Sequence, residues 1–286
     1  MLRNSIGLSG VQNARELGGY RSEDGRVVKG GVLLRTARLS TGTEEDLKRL
    51  KEVYHLAKII DLRSDEEIYG SEEIALFTGS KDPDPDPEIE GAEYINLQIL
   101  DLKKMMVNNT ELMKEIEPPL DLIQMLNITI KAGFINDELY FGFLDEEPGR
   151  SSYSRFMREL MSLEEGKAVL FHCTQGKDRT GVGAMLILSA LDVPEKVIVE
   201  DYVLTNDYNS EKIAKERMML EMSGKVPADQ METYLMAMDR VNEKTMTNVI
   251  AYLKKKYGSV KNYIISGLGI SEQELKEFKD KFLAEG

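Results

Sequence analysis

One stretch constrains this chain more than any other: residues 168–191, AVLFHCTQGKDRTGVGAMLILSAL. Four apolar residues open it, the pattern of a strand buried on both faces. A long apolar run closes it, as a buried helix would. Between them lies a short polar loop with one glycine, Gly176, so strand must turn into helix within a few residues. Cys173, the only cysteine in the chain, stands at the mouth of that junction. Loop N–H groups and the orphan N–H groups of a helix's first turn form a concave anion site. The same groups, with Arg179 opposite, favour a thiolate.

A thiolate beside a cradle for a tetrahedral oxyanion suits phosphoryl transfer to sulfur, followed by hydrolysis. Arg179 can hold two phosphate oxygens in its planar fork, which lysine cannot do with the same geometry. A Walker-type nucleotide loop does not fit, because Gly176-Lys177 is followed by Asp178 and the upstream glycine is missing. The competing reading is an inert cysteine buried at a strand end. The polar, glycine-bearing loop after Cys173 argues against it.

Composition narrows the partners. Over 286 residues, 37 basic and 50 acidic side chains leave a net charge of −13. So acidic a surface opposes broad nucleic-acid or anionic-membrane binding. One cysteine excludes an intrachain disulfide or a Cys-based zinc cluster, and two histidines leave little for a His-rich metal site. No metal and no cofactor is expected. The longest apolar stretch, 181–193, falls short of the ~20 residues that span a bilayer, so no integral membrane segment is expected. As written the chain reads as cytoplasmic; a leader removed ahead of it would make it a secreted protein. Oligomeric state has no signature in this sequence.

Along the chain the pattern is α/β followed by a helical half. Residues 32–35, 58–62, 92–97 and 168–171 read as strands. Residues 43–54 read as an amphipathic helix, and Ser64-Asp65-Glu66-Glu67 has the shape of a capping box. The segment SKDPDPDPE (80–88) reads as an exposed extended loop, a simple surface excursion. Residues 101–150 suggest a helical hairpin between strands, broken at Pro118-Pro119 and placed either as ordinary core or as a mobile cover. Everything after Pro194 looks helical, and the methionines between Met218 and Met246 read as flexible core filling.

Cys173-x5-Arg179-Thr180 is similar to the signature of the cysteine-dependent phosphatases. The fuller string His172-Cys173-Thr174-Gln175-Gly176-Lys177-Asp178-Arg179-Thr180-Gly181 resembles the atypical bacterial tyrosine phosphatase family, which includes dual-specificity and phosphoinositide phosphatases. The blocks NARELGGY (13–20), LRTARLS (34–40), IDLRS (60–64) and YIISGLGISEQEL (263–275) match in order. The resemblance implies one phosphatase domain over 1–286: a central sheet flanked by helices, a helical lid at about 101–150 and a helical C-terminal half.

It also implies roles. Cys173 would be the nucleophile and Arg179 the phosphate-binding residue. Main-chain groups of Thr174, Gln175, Gly176 and Lys177 would form the cradle, and Thr180 would hydrogen-bond the sulfur. His172, Arg35 and Asp61 would support the loop from behind. The acid loop of larger tyrosine phosphatases needs a tryptophan, and the chain has none. Asp178 is therefore the first choice of general acid, with Asp61 and Asp101 in reserve. Lys177 would add a second positive charge, suiting a doubly phosphorylated inositol ring. The expected substrate is a phosphotyrosine protein, extending to phosphoserine, phosphothreonine and phosphoinositides. Two rivals remain: a phosphopeptide- or phosphoinositide-binding pseudophosphatase, and a thiol enzyme of the arsenate-reductase or sulfurtransferase kind. The lack of a resolving cysteine weighs against the second.

Overall fold

The structure is a computed structural model that describes residues 3–104 and 120–286. Strands β1 (Arg15–Glu16), β2 (Val27–Val28) and β3 (Leu33–Thr36) lead to α1 (Glu44–Glu52) and β4 (Leu56–Asp61). Next come α2 (Asp65–Tyr69), α3 (Glu72–Thr78) and β5 (Glu93–Asn96). Helices α4 (Leu122–Lys131), α5 (Asp137–Asp145) and α6 (Gly149–Met161) precede β6 (Ala168–His172) and α7 (Asp178–Ala190). The remainder is α8 (Glu195–Tyr208), α9 (Ser210–Ser223), α10 (Met231–Ala237), α11 (Glu243–Tyr257), α12 (Val260–Ser266), α13 (Glu272–Phe282) and β7 (Leu283–Ala284).

The main sheet has the order β1-β3-β6-β4-β5. Strands β3, β6, β4 and β5 run parallel, and β1 pairs antiparallel with β3. The central strand is β6, and the two-residue alternation of a strand sorts its side chains. Val169 and Phe171 join the larger core with α6, α7, α8 and α11, while Ala168 and Leu170 join a second core with Leu34, Leu50 and Ile59. Burial on both faces explains why β6 is apolar without a break. Helix α7 is buried almost throughout its length. It hangs its N-terminus at the end of β6, as the sequence requires.

Local signals behave as read. Thr43 and Ser64 each form a complete capping box, with Asp46 and Glu67 respectively. Three readings need correction. The chain end is not wholly helical: β7 pairs antiparallel with β2, a two-residue ladder too short to leave a pattern. The methionines divide: Met231 and Met246 are buried, but Met218, Met219 and Met222 are exposed on α9. The Asp-Pro loop folds back onto the sheet, as described below.

In the 101–150 region, most of the first predicted helical arm and the Pro118-Pro119 break lie outside the described residues. The second arm divides between cores. Tyr140, Phe143 and Leu144 of α5 belong to the main core. Leu126 of α4 packs in a separate cluster with Ile213 and Leu220 of α9 and Met231, Tyr234 and Leu235 of α10. No described helix is long and apolar enough to cross a membrane.

Candidate active site

Cys173 follows directly on β6, at the C-terminal edge of a mostly parallel sheet, where open α/β folds place their sites. It is 2% exposed. Gly176 turns the loop with φ +67°, and a Cβ there would stand 2.3 Å from Thr36 O, so only glycine fits. Among the described residues, no backbone N–H from Thr174 to Arg179 donates to another backbone group; the first such bond is Gly181 N to Lys177 O, 2.8 Å. Six consecutive N–H groups are thus open to an anion, two of them in the first turn of α7.

Arg179 is held by Glu67, which in the sequence shows only as a helix-capping acid. Nη1 and Nη2 lie 2.5 and 2.7 Å from the two Glu67 oxygens. Glu67 also accepts Thr174 Oγ1 (2.5 Å) and caps the Ser64 N–H of its own helix (2.9 Å). Burial pushes the Glu67 carboxyl up, but Arg179 and these donors override it and hold it at about 2. The S-x-x-E box was the signal available in the sequence; that its glutamate would also face residue 179 was not.

Asp178 is the first residue of α7, and its carboxylate accepts the Tyr140 hydroxyl of α5. Tyr140 OH lies 3.1 Å from Tyr202 OH of α8, and Tyr153 OH donates to Arg179 O at 2.8 Å. Three tyrosines from three helices therefore brace the first turn of α7. Burial, followed by the Asp178 charge, pushes Tyr140 well above the usual phenol range, so it stays a donor. Thr180 Oγ1 is buried and has no hydrogen-bond partner among the described residues. Lys177 is placed differently from the expectation. Its ammonium donates to Met236 O and Met238 O at the end of α10, both at 2.7 Å, so that charge ties the loop to α10.

Behind the loop lies a second charged layer. His172 Nε2 is 2.8 Å from Asp86 Oδ2, an ion pair whose angle falls short of a hydrogen bond, and Nδ1 is 3.9 Å from Asp61. Burial alone would lower the imidazole; the Asp61 and Asp86 carboxylates raise it to about 9, so it is a cation at neutral pH. Arg63, fully buried, bonds Asp61 through Nε (3.0 and 3.1 Å) and Nη2 (2.8 Å) and reaches Asp86 at 3.0 Å. Tyr94 OH adds a bond to Asp61 at 2.8 Å. The Asp61 carboxylate is thus taken up by Arg63 and Tyr94. Asp101 caps its own turn through Lys104 N (2.8 Å).

Asp61, Asp86 and His172 are close enough to suggest a metal site. Their charge is already matched by Arg63 and the imidazolium, whose nitrogens offer no lone pair. Asp86 is what overturns the reading of residues 80–88 as a simple surface excursion. Besides His172 and Arg63 it accepts the Leu39 N–H at 2.7 Å, and Arg63 Nη1 donates to Asp84 O at 2.9 Å. Buried arginine and histidine need carboxylates, and the loop supplies them.

Arg35 of β3 places Nη2 2.8 Å from Gly176 O. Thr174 and Gln175 line a cleft of about 600 Å³ together with Glu67, Arg38, Lys212 and the Asp-Pro loop. A larger cavity, about 960 Å³, lies between α8 and α11 and does not include the cysteine loop. The 600 Å³ cleft is the one beside the chemistry.

The comparisons agree with this geometry. The sequence model described as "Tyrosine phosphatase family" matches residues 6–284, and the chain belongs to that family. It is 28% identical over 275 residues, 96% of this chain and 88% of the relative, to a Cupriavidus necator protein named "Putative tyrosine-protein phosphatase". A Nostoc commune "Tyrosine-protein phosphatase" is 33% identical over 129 residues, 44% of this chain and 42% of the relative. The "Triple specificity protein phosphatase PtpB" of Mycobacterium tuberculosis is 41% identical over 61 residues, 21% of this chain and 22% of the relative.

Proposed function

We propose that this member of the tyrosine phosphatase family hydrolyses phosphotyrosine in proteins through a cysteinyl-phosphate at Cys173. The observation that carries this reading is the run of six consecutive N–H groups without a backbone acceptor that follows Cys173, with the Arg179 fork bonded by Glu67 at the end of it. The Cys173 thiolate attacks phosphorus, an S–P bond forms, and the P–O bond to the leaving group breaks. Asp178 passes its proton to the departing oxygen. Water then attacks phosphorus, Asp178 takes a proton from it, the S–P bond breaks, and phosphate leaves. The cradle N–H groups and Arg179 hold the three non-bridging oxygens, where charge develops. The Tyr140 hydroxyl donates to Asp178 and so fixes where that carboxyl stands. Thr180 Oγ1, buried and free, is available to the sulfur as it leaves phosphorus.

Phosphoserine, phosphothreonine and phosphoinositides fall within the same proposal. Its support is the room in the cleft beside Thr174 and Gln175, whose two cations, Arg38 and Lys212, are paired with Asp84 and Asp239 at 2.6 and 2.7 Å. We read residues 1–286 as one phosphatase domain with its lid in the region of about 101–150. In support, α4 of that region shares a core with α9 and α10, and the end of α10 meets the loop through Lys177. A pseudophosphatase would need the cradle but not the thiol, and a single cysteine gives no partner for a redox cycle. The test is hydrolysis of p-nitrophenyl phosphate, sensitive to vanadate and lost in Cys173→Ser, followed by a panel of phosphopeptides and phosphoinositides. Full activity in the serine variant removes the mechanism.

A further inference from the structure

The carbonyl of Gly176 is gripped from outside the loop. Asn13 Nδ2 and Arg35 Nη2 both donate to it, each at 2.8 Å. The two grips share one foundation on α8. Asp201 takes Arg35 Nη1 at 2.6 Å on one oxygen and Arg15 Nε at 3.2 Å on the other. Tyr20 OH adds a third bond at 3.0 Å, and Arg15 Nη1 donates to Asn13 Oδ1. Arg15 and Arg35 are fully buried and Asp201 is 1% exposed, so this carboxylate is what allows two guanidiniums to sit side by side away from water.

The peptide unit joining Gly176 to Lys177 carries the Gly176 oxygen at one end and the Lys177 N–H at the other. A flip of this unit turns ψ of Gly176, which the missing Cβ leaves weakly restrained, together with φ of Lys177. A flip would aim an oxygen at the substrate phosphate and take one N–H away. We propose that Asp201 is a positioning residue for phosphate binding: through Arg35, and through Arg15 and Asn13, it pins the Gly176 carbonyl and so keeps the Lys177 N–H aimed at the anion. The inference rests on reading the loop as a phosphate cradle. It adds three residues outside the loop, Asn13, Arg15 and Asp201, to those that decide how tightly an oxyanion is held.

The experiment compares wild type with Asn13→Ala, Arg35→Lys and Asp201→Asn. It measures kcat and KM on p-nitrophenyl phosphate, inhibition by orthovanadate, Tm, and the rate at which neutral iodoacetamide alkylates Cys173. Asn13→Ala leaves both arginines paired with Asp201 but puts alanine at φ +56°, so its Tm should fall modestly while its alkylation rate stays. Its vanadate affinity and kcat/KM should fall by about tenfold, since one oxyanion donor is worth about 10²–10³ in kcat and here it is loosened rather than deleted. Arg35→Lys should follow it, and Asp201→Asn should lose more, or fail to fold because it unpairs two buried arginines. Wild-type vanadate inhibition and kcat/KM in folded Asn13→Ala and Arg35→Lys would overturn the proposal. A wild-type protein indifferent to vanadate would overturn the phosphatase reading itself and the clamp with it.

Discussion

Glu67 holds Arg179 by both carboxylate oxygens, at 2.5 and 2.7 Å, and so fixes the plane of the fork that meets phosphate. A long side chain that is already ordered loses little entropy when substrate arrives. Glu67→Gln keeps the size but drops the charge and one acceptor. We expect kcat/KM to fall by about tenfold or more, because a misaimed donor forfeits part of the ~10²–10³ that one oxyanion contact supplies. Removing one partner of a buried pair should also cost about 3–5 kcal/mol of stability. A variant with unchanged kinetics would show that Arg179 is oriented by the substrate alone.

Stability at the alkaline end should follow His172. Its folded value of about 9 lies above the ordinary histidine value of 6.5. The imidazolium's contribution is therefore complete below about pH 6.5 and is lost as pH rises through 9. Urea midpoints measured from pH 6 to 10 should decline across that window in wild type. They should decline less in His172→Gln, which starts lower because Asp86 loses its cation. Parallel curves for the two proteins would contradict the assignment.

At the acid end Glu67 and Asp86 act with the opposite sign. Both are held at about 2, below their ordinary values of 4.5 and 3.8. Their contribution is present above about pH 4.5 and is lost as pH falls toward 2. Acid unfolding followed by circular dichroism should begin at higher pH in Asp86→Asn than in wild type.

Asp178 can be tested through the leaving group. Asp178→Asn should lose about 10²–10⁴ in kcat on phosphotyrosine, whose phenol needs a proton, and much less on substrates with an acidic leaving group. An equal loss on both kinds of substrate would move the acid role to another residue. Tyr140→Phe, which removes the donor that positions that carboxylate, should lower kcat more than it changes KM.

Gly176→Ala addresses the loop backbone. The new methyl would meet Thr36 O at 2.3 Å and sit at φ +67°, so the loop must shift. Loss of phosphate binding with most of the fold intact is the expected result, seen as a native-like spectrum without vanadate inhibition.

The sequence by itself determined the strand–loop–helix unit that carries Cys173 and Arg179. All of it lies within one short stretch, where chain connectivity limits how far apart residues can be. Arg35 and His172 were also legible, one inside a matching block and the other next to Cys173. What only the tertiary structure decided is which charges face one another across long sequence separations. Glu67 reads as a helix cap and Asp86 as part of a proline-rich loop until the sheet brings them to Arg179 and His172. The Lys177 ammonium reads as a second positive charge for the substrate until α10 offers its carbonyls. Local patterning reports propensity and periodicity, but the partner of a buried charge is set by packing, and a buried charge cannot go without one.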